Sequence, residues 1–272
     1  MNRRALLRSL VAGMAIPLAP IGIASAAQRT GRRLILVELS GANDGLNTVI
    51  PINDERYFEI RPNIALSKEK VFNIGKELSL NSELQSLDPA FQAGDLAIIQ
   101  GLGYPGQNRS HFKSIALWET GGDGSQAGKN GWLTEDIEGM KGSDTLDAHG
   151  ISLDGGMGVF LSSSGVWLSM TSLNQFSSLS LTTEKMNSNK QANSANPALS
   201  MIMDRGNTLN NSMASISSKV KKLNRHQKYR YDAGEFGRQA AMAAQLIDAG
   251  IDAPVLKIKL DGFDTHENQI WR

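Results

Sequence analysis

Residues 34–39, LILVEL, constrain the chain more than any other stretch. Leu34, Ile35, Leu36, Val37 and Leu39 make a nearly unbroken apolar run, the pattern of a strand buried on both faces rather than of an amphipathic surface strand. The run predicts a central strand. It stops at residues 41–46, GANDGL, which place the Asp44 carboxylate just past the carboxyl end of that strand. In open α/β sheets ligands and metals bind there. Asp also populates tight turns by bonding its own backbone, so Asp44 reads either as a turn residue or as a functional carboxylate. A second segment of the same form favours function: residues 254–260, PVLKIKL, read as a strand that runs into Asp261, Gly262, Phe263, Asp264, Thr265 and His266.

The intervening chain supplies helices and a further strand. Residues 53–79, broken by Pro62 and Gly75, predict irregular chain with short elements, and residues 81–92 a short helix stopped by Gly94. Leu96, Ala97, Ile98 and Ile99 then read as a second buried strand, so that strand, helix and strand form a right-handed parallel crossover. Trp132, Leu133 and Ile137 mark one side of a short helix, and residues 150–170 predict short strands with turns at Gly155, Gly156 and Gly158. Residues 172–196, rich in Ser and Asn, predict a loop or small subdomain. Residues 198–230 read as one or two helices. Phe236, Ala240, Ala243, Ala244 and Ile247 recur at helical spacing up to the stop at Gly250, giving a helix that feeds the strand ending at the Asp264 loop.

After residues 96–99 the glycines and proline of residues 101–106 hold off helix formation until Ser110, and residues 112–120 predict a helix closed at Gly121. Ser110 at a helix start has two readings. As a cap it satisfies an orphan amide; as a nucleophile it sits where backbone N–H groups and the helix dipole stabilise an anion, beside Arg109, which can hold a phosphate or sulfate oxygen.

Composition closes off several classes. A formal net charge of +1 gives no basic field, and the cluster of Lys219, Lys221, Lys222, Arg225, Lys228 and Arg230 has few aromatics beside it, which excludes a nucleic-acid partner and leaves a solvated helix face. The chain has no cysteine, so it has no disulfide framework, thiolate-bound metal or thiol nucleophile. Any metal falls to Asp, Glu, His, Asn or hydroxyl ligands, which suits Zn, Mg, Ca or Mn. At the start, Arg3 and Arg4 precede an apolar stretch broken by Gly13, Pro17 and Pro20 and followed by Ala24-Ser25-Ala26. This predicts a twin-arginine export signal over residues 1–27, periplasmic or secreted location, and no membrane span after cleavage.

Several segments together resemble one family: residues 41–48 (GANDGLNT), 103–105 (GYP), 108–112 (NRSHF), 131–133 (GWL), 236–239 (FGRQ) and 262–266 (GFDTH) with Gln269. In that order and spacing they are similar to the secreted bacterial family called domain of unknown function 1501, grouped with the alkaline phosphatase and sulfatase superfamily. The resemblance implies a single α/β domain over residues 28–272 with a doubly wound, mostly parallel sheet and helices on both faces. It implies Ser110 as nucleophile, Asn108, Arg109 and His111 as substrate-binding residues, and Asp44, Asp264 and His266 as ligands to a divalent metal. His111 reads as a ligand to metal or substrate or, as the slightly favoured alternative, as a helix-surface residue. The reaction implied is hydrolysis of a small anionic phosphate or sulfate ester. Family members continue to a further Asp-His-Gly segment; His149 and His226 lie outside any such motif, so the sequence reads as truncated and the sheet as incomplete at its C-terminus. A non-catalytic exported protein that binds a ligand or partner is the alternative.

Overall fold

A computed structural model of the protein describes residues 32–122, 124–174, 197–223, 231 and 234–266. The export signal, most of the Ser/Asn-rich stretch, Arg225, His226, Lys228, Arg230 and Gln269 lie outside the described residues. In chain order the elements are β1 (Leu34–Leu39), α1 (Gly45–Thr48), β2 (Val49–Ile50), α2 (Glu55–Ile60), β3 (Val71–Asn73), β4 (Ser79–Asn81), α3 (Asp88–Gln92), α4 (His111–Thr120), α5 (Thr134–Glu138), β5 (Gly150–Ser152), β6 (Trp167–Ser169), α6 (Pro197–Lys222), α7 (Gly234–Asp248) and β7 (Val255–Leu260). They form a mixed α/β structure with a four-stranded sheet ordered β1-β7-β5-β6 and a three-stranded sheet ordered β2-β4-β3. The chain divides into two compact units: among described residues, one takes 32–37, 116–122 and those from 126 to 258, the other 38–115, 124–125 and 259–266. No helix among the described residues is long and apolar enough to cross a membrane.

The first unit is built on the larger sheet. β5 pairs in parallel with β6, Ile151 opposite Leu168, and with β7, Ile151 opposite Leu256. Side chains alternate faces along a strand, and β7 shows the consequence. Leu256 and Ile258 join Ile151, Leu153, Leu168, Met213, Ile216, Met242 and Leu246 in one apolar cluster, to which α6 and α7 contribute their buried sides. Val255 points the other way, into a cluster with Leu133, Ile137, Val159 and Phe160, packed by Leu34 and Leu36. Core therefore lies on both faces of the sheet.

Lys257 shares the second face and is 2% exposed. A buried ammonium is tolerated only when paired and hydrogen-bonded, and it pairs with Asp154, itself 3% exposed. Asp154 also accepts from Ser152 Oγ and the Gly156 amide. Burial alone would raise the Asp154 pKa; the bonds from Lys257, Ser152 and Gly156 outweigh it and hold the carboxyl below its usual value.

The second unit carries the small antiparallel sheet, β4 pairing with both β2 and β3. Ile50, Ile52 and Tyr57 form its core against Ala65, Leu66 and Val71.

Two expectations are corrected. Residues 96–99 form no strand, and Ile99 is 82% exposed. β1 lies at one end of the sheet instead of its centre: among the described residues its ladder neighbour is β7, with the Leu34 N–H bonded to the Pro254 carbonyl at 2.9 Å and the Ser40 N–H to the Leu260 carbonyl at 2.8 Å. The apolar run is half-covered, Ile35, Val37 and Leu39 alternating outward at 38–44% exposure. The helix expected over residues 198–230 runs unbroken through Gly206 to Lys222.

Lys257→Met leaves the Asp154 carboxylate buried without its cation and should lower unfolding free energy by about 3–5 kcal/mol, with Lys257→Met/Asp154→Leu recovering most of the loss. Denaturant titration of the three proteins measures both. A pH effect is expected from His149, which is buried, accepts the Val166 N–H at Nδ1, and is held below its ordinary value of 6.5 chiefly by burial. A depressed folded pKa contributes stability that is present above the unfolded value and lost as pH falls. Unfolding midpoints should therefore drop as pH falls below 6.5, and His149→Gln should flatten that part of the profile.

Candidate metal and anion site

The loops that follow β1 and β7 meet within the second unit because residue 41 is glycine. Gly41 has φ +102°, and a Cβ there would stand 2.4 Å from the Asp264 backbone nitrogen and 2.9 Å from Asp264 Cβ. The Phe263 N–H adds a bond to the Ser40 carbonyl at 3.3 Å. Asp264 is thus fixed by backbone contact before its side chain does anything.

Asp44 caps α1. Its Oδ1 accepts the Leu46 and Asn47 amides at 3.2 and 3.3 Å, and its Oδ2 pairs with Arg61 Nη2. Arg61 is largely buried and its Nε has no hydrogen-bond partner among the described residues. Asn47 braces the same loop, donating to the Ile64 carbonyl at 2.8 Å and accepting from Tyr57 Oη at 2.8 Å, while Asn81 donates to the Asn47 carbonyl at 3.0 Å. Sequence reasoning named Asp44 from its place after a strand. Arg61 and Asn47 carry no comparable signal, since their partners lie 17 residues away in an irregular stretch.

A second braced loop leads to Ser110. Tyr104 Oη lies 2.8 Å from Ser114 Oγ and accepts the Asn108 N–H at 3.2 Å; Ser114 Oγ in turn donates to the Asn108 carbonyl at 3.1 Å. The Ser114 and Asn108 bonds hold the Tyr104 phenol below its usual pKa. Asn108 Oδ1 accepts the Ser110 N–H at 2.8 Å, and the Ser110 carbonyl accepts the Ser114 N–H at 3.1 Å. Asn108 therefore shapes the loop with both its backbone and its side chain. The Ser110 hydroxyl is exposed and makes no cap hydrogen bond among the described residues, and Arg109 is exposed beside it.

α4 opens immediately afterwards on His111, and three of the expected residues converge there. His266 Nε2 is 2.9 Å and His111 Nε2 3.9 Å from Asp264 Oδ1. The two imidazole rings stand 5.7 Å apart. One donor atom from each of the three residues lies within 4.8 Å of the others, and all three residues are exposed. His266 has φ +34°, a left-handed conformation uncommon for a residue with a side chain. Asp44 is not in this group. The set also joins His111, expected to bind metal or substrate or to decorate a helix, to two of the residues expected to hold metal.

The chain matches no family model, no curated protein and no solved structure.

Gly41→Ala adds a methyl where the Asp264 backbone already sits, at a positive φ. It should destabilise the protein by about 1–3 kcal/mol, read as a lowered thermal unfolding midpoint.

Proposed function

We propose that this protein is an exported, metal-dependent hydrolase of small phosphate or sulfate esters, of alkaline phosphatase-like lineage with a doubly wound sheet. The observation that carries the reading is the approach of two segments: His111, next to Ser110 at the start of α4, has its Nε2 3.9 Å from Asp264 Oδ1, the oxygen that His266 meets at 2.9 Å within the loop after β7. Residues 41–48, 108–112 and 262–266, the short segments that resemble the domain of unknown function 1501 family, are in keeping with the same assignment. The twin-arginine pattern at Arg3 and Arg4 supports passage through the twin-arginine export machinery to the periplasm or medium.

Each residue has a role in the reaction. Ser110 Oγ, exposed at a helix start, attacks phosphorus or sulfur as the bond to the substrate's alcohol oxygen breaks; the serine proton leaves with the alcohol, and water then cleaves the seryl ester to release phosphate or sulfate. Arg109 and the first N–H groups of α4 bind the non-bridging oxygens, whose charge suits a helix N-terminus and a guanidinium. Asn108 holds the backbone that presents them. Asp264 and His266 fit a divalent metal, because carboxylate and imidazole are its ordinary donors and their donor atoms are already 2.9 Å apart. Such an ion, when bound, lowers the pKa of a hydroxyl and neutralises developing negative charge. Zn, Mg, Ca and Mn all accept this chemistry in general.

The pairing of Asp44 with Arg61 favours a second reading, a non-catalytic exported protein that keeps the loops and binds a ligand or partner.

The test is turnover of aryl phosphate and aryl sulfate by the purified chain with added divalent metals. Ser110→Ala should abolish turnover and Asp264→Ala should remove its metal dependence, each with an unchanged unfolding midpoint. Turnover that survives both substitutions sinks the hydrolase; metal-dependent turnover by the unmodified chain removes the binding-protein alternative.

A further inference from the structure

The sequence likeness puts Asp44 in the metal set, and the side-chain geometry assembles a different one. A tetrahedral ion with bonds of about 2.0–2.2 Å spaces its donor atoms about 3.3–3.6 Å apart. The approaches of Asp264 Oδ1 to His266 Nε2 at 2.9 Å and to His111 Nε2 at 3.9 Å bracket that spacing. All three donor atoms lie within 4.8 Å of one another. Asp44 Oδ2 is turned instead towards the guanidinium of Arg61, while Oδ1 serves two backbone amides.

We propose that His111, Asp264 and His266 form a three-ligand site for a zinc-class transition ion, Zn²⁺ or Co²⁺, in preference to Mg²⁺ or Ca²⁺, with Asp44 outside the set. The inference deepens the metal reading given above and rests on it. Two imidazoles and one carboxylate are the donors of a borderline ion; Mg²⁺ and Ca²⁺ ask for six or more oxygens. Three protein ligands leave a fourth position open, the arrangement of catalytic rather than structural zinc. The exposure of all three residues keeps that position accessible. His111 is also bonded through one peptide to Ser110, so the same short segment that presents the hydroxyl supplies a ligand. From sequence His111 reads as a metal ligand, a substrate ligand or a helix-surface residue; its approach to Asp264, 153 residues away in the chain (264 minus 111), favours the first.

The absence of any cysteine in the chain makes a clean test available. Untagged full-length protein, freed of metal, is titrated calorimetrically with the chlorides of Zn²⁺, Co²⁺, Mg²⁺ and Ca²⁺. One Zn²⁺ or Co²⁺ per chain should bind at least about 100-fold more tightly than Mg²⁺ or Ca²⁺, following donor softness. His111→Ala should weaken Zn²⁺ binding at least tenfold without altering far-ultraviolet circular dichroism. His111→Cys, which introduces the sole thiol, should give the Co²⁺ complex a sulfur-to-metal charge-transfer band. Equal affinity for Mg²⁺ and Zn²⁺, unweakened binding in His111→Ala, or a Co²⁺ complex of His111→Cys with no such band would each overturn the assignment. Loss of Zn²⁺ binding in Asp44→Asn together with its retention in His111→Ala would restore the Asp44 set. Zn²⁺ binding that depends on His111 without ester turnover would refute the hydrolase and leave the ligand set standing.

Discussion

The backbone of Asp264 occupies the space where a side chain on residue 41 would be. Only glycine at residue 41 permits so close an approach of the Asp264 loop, and the Phe263 N–H to Ser40 carbonyl bond joins the two loops there. Everything chemical in the second unit depends on that placement. With Asp264 held, its carboxylate becomes the point to which His111 and His266 come, one from a helix start and the other from two residues along the same loop. The loop on the Gly41 side is kept in register by Asp44 and Asn47, whose bonds reach to Arg61, Ile64, Tyr57 and Asn81. Polar side chains here hold backbone in place; few of them are left over for chemistry.

The first unit handles charge differently. Asp147 receives Ser215, Lys219 and the Asp252 amide, Glu138 receives Ser162, Ser164 and the Trp167 indole, and Asp154 receives Ser152, Lys257 and the Gly156 amide. In each, burial would raise the carboxyl pKa and the donors reverse it. Removing water from a carboxylate is affordable only with several donors around it. Each of these groups therefore ties together segments far apart in sequence, as Asp147 does for β5, α6 and the turn before β7.

The parts of the fold legible in the sequence are those whose signal is local. The helices over His111–Thr120 and Gly234–Asp248 follow from spacing and from glycine stops, and the strand Val255–Leu260 from its apolar run. Residues 96–99 have the composition of a strand and lack a neighbour to pair with, and pairing is what makes a strand. Within the site, Asp264 and His266 were legible because they close a strand. The partnership of Asp44 with Arg61, and of His111 with Asp264, is set by tertiary geometry that no short motif encodes. From sequence Ser110 reads first as a cap and second as a nucleophile; in the structure the Asn108 side chain accepts the Ser110 N–H and orders that turn, with Ser110 exposed.

β1 ends one side of its sheet with Ile35, Val37 and Leu39 half-uncovered in a row. An open ladder edge beside an apolar stripe is a template for another strand, of this chain or any other. Among the described residues that edge has no ladder partner, so any strand added there would gain main-chain hydrogen bonds and apolar contact at once.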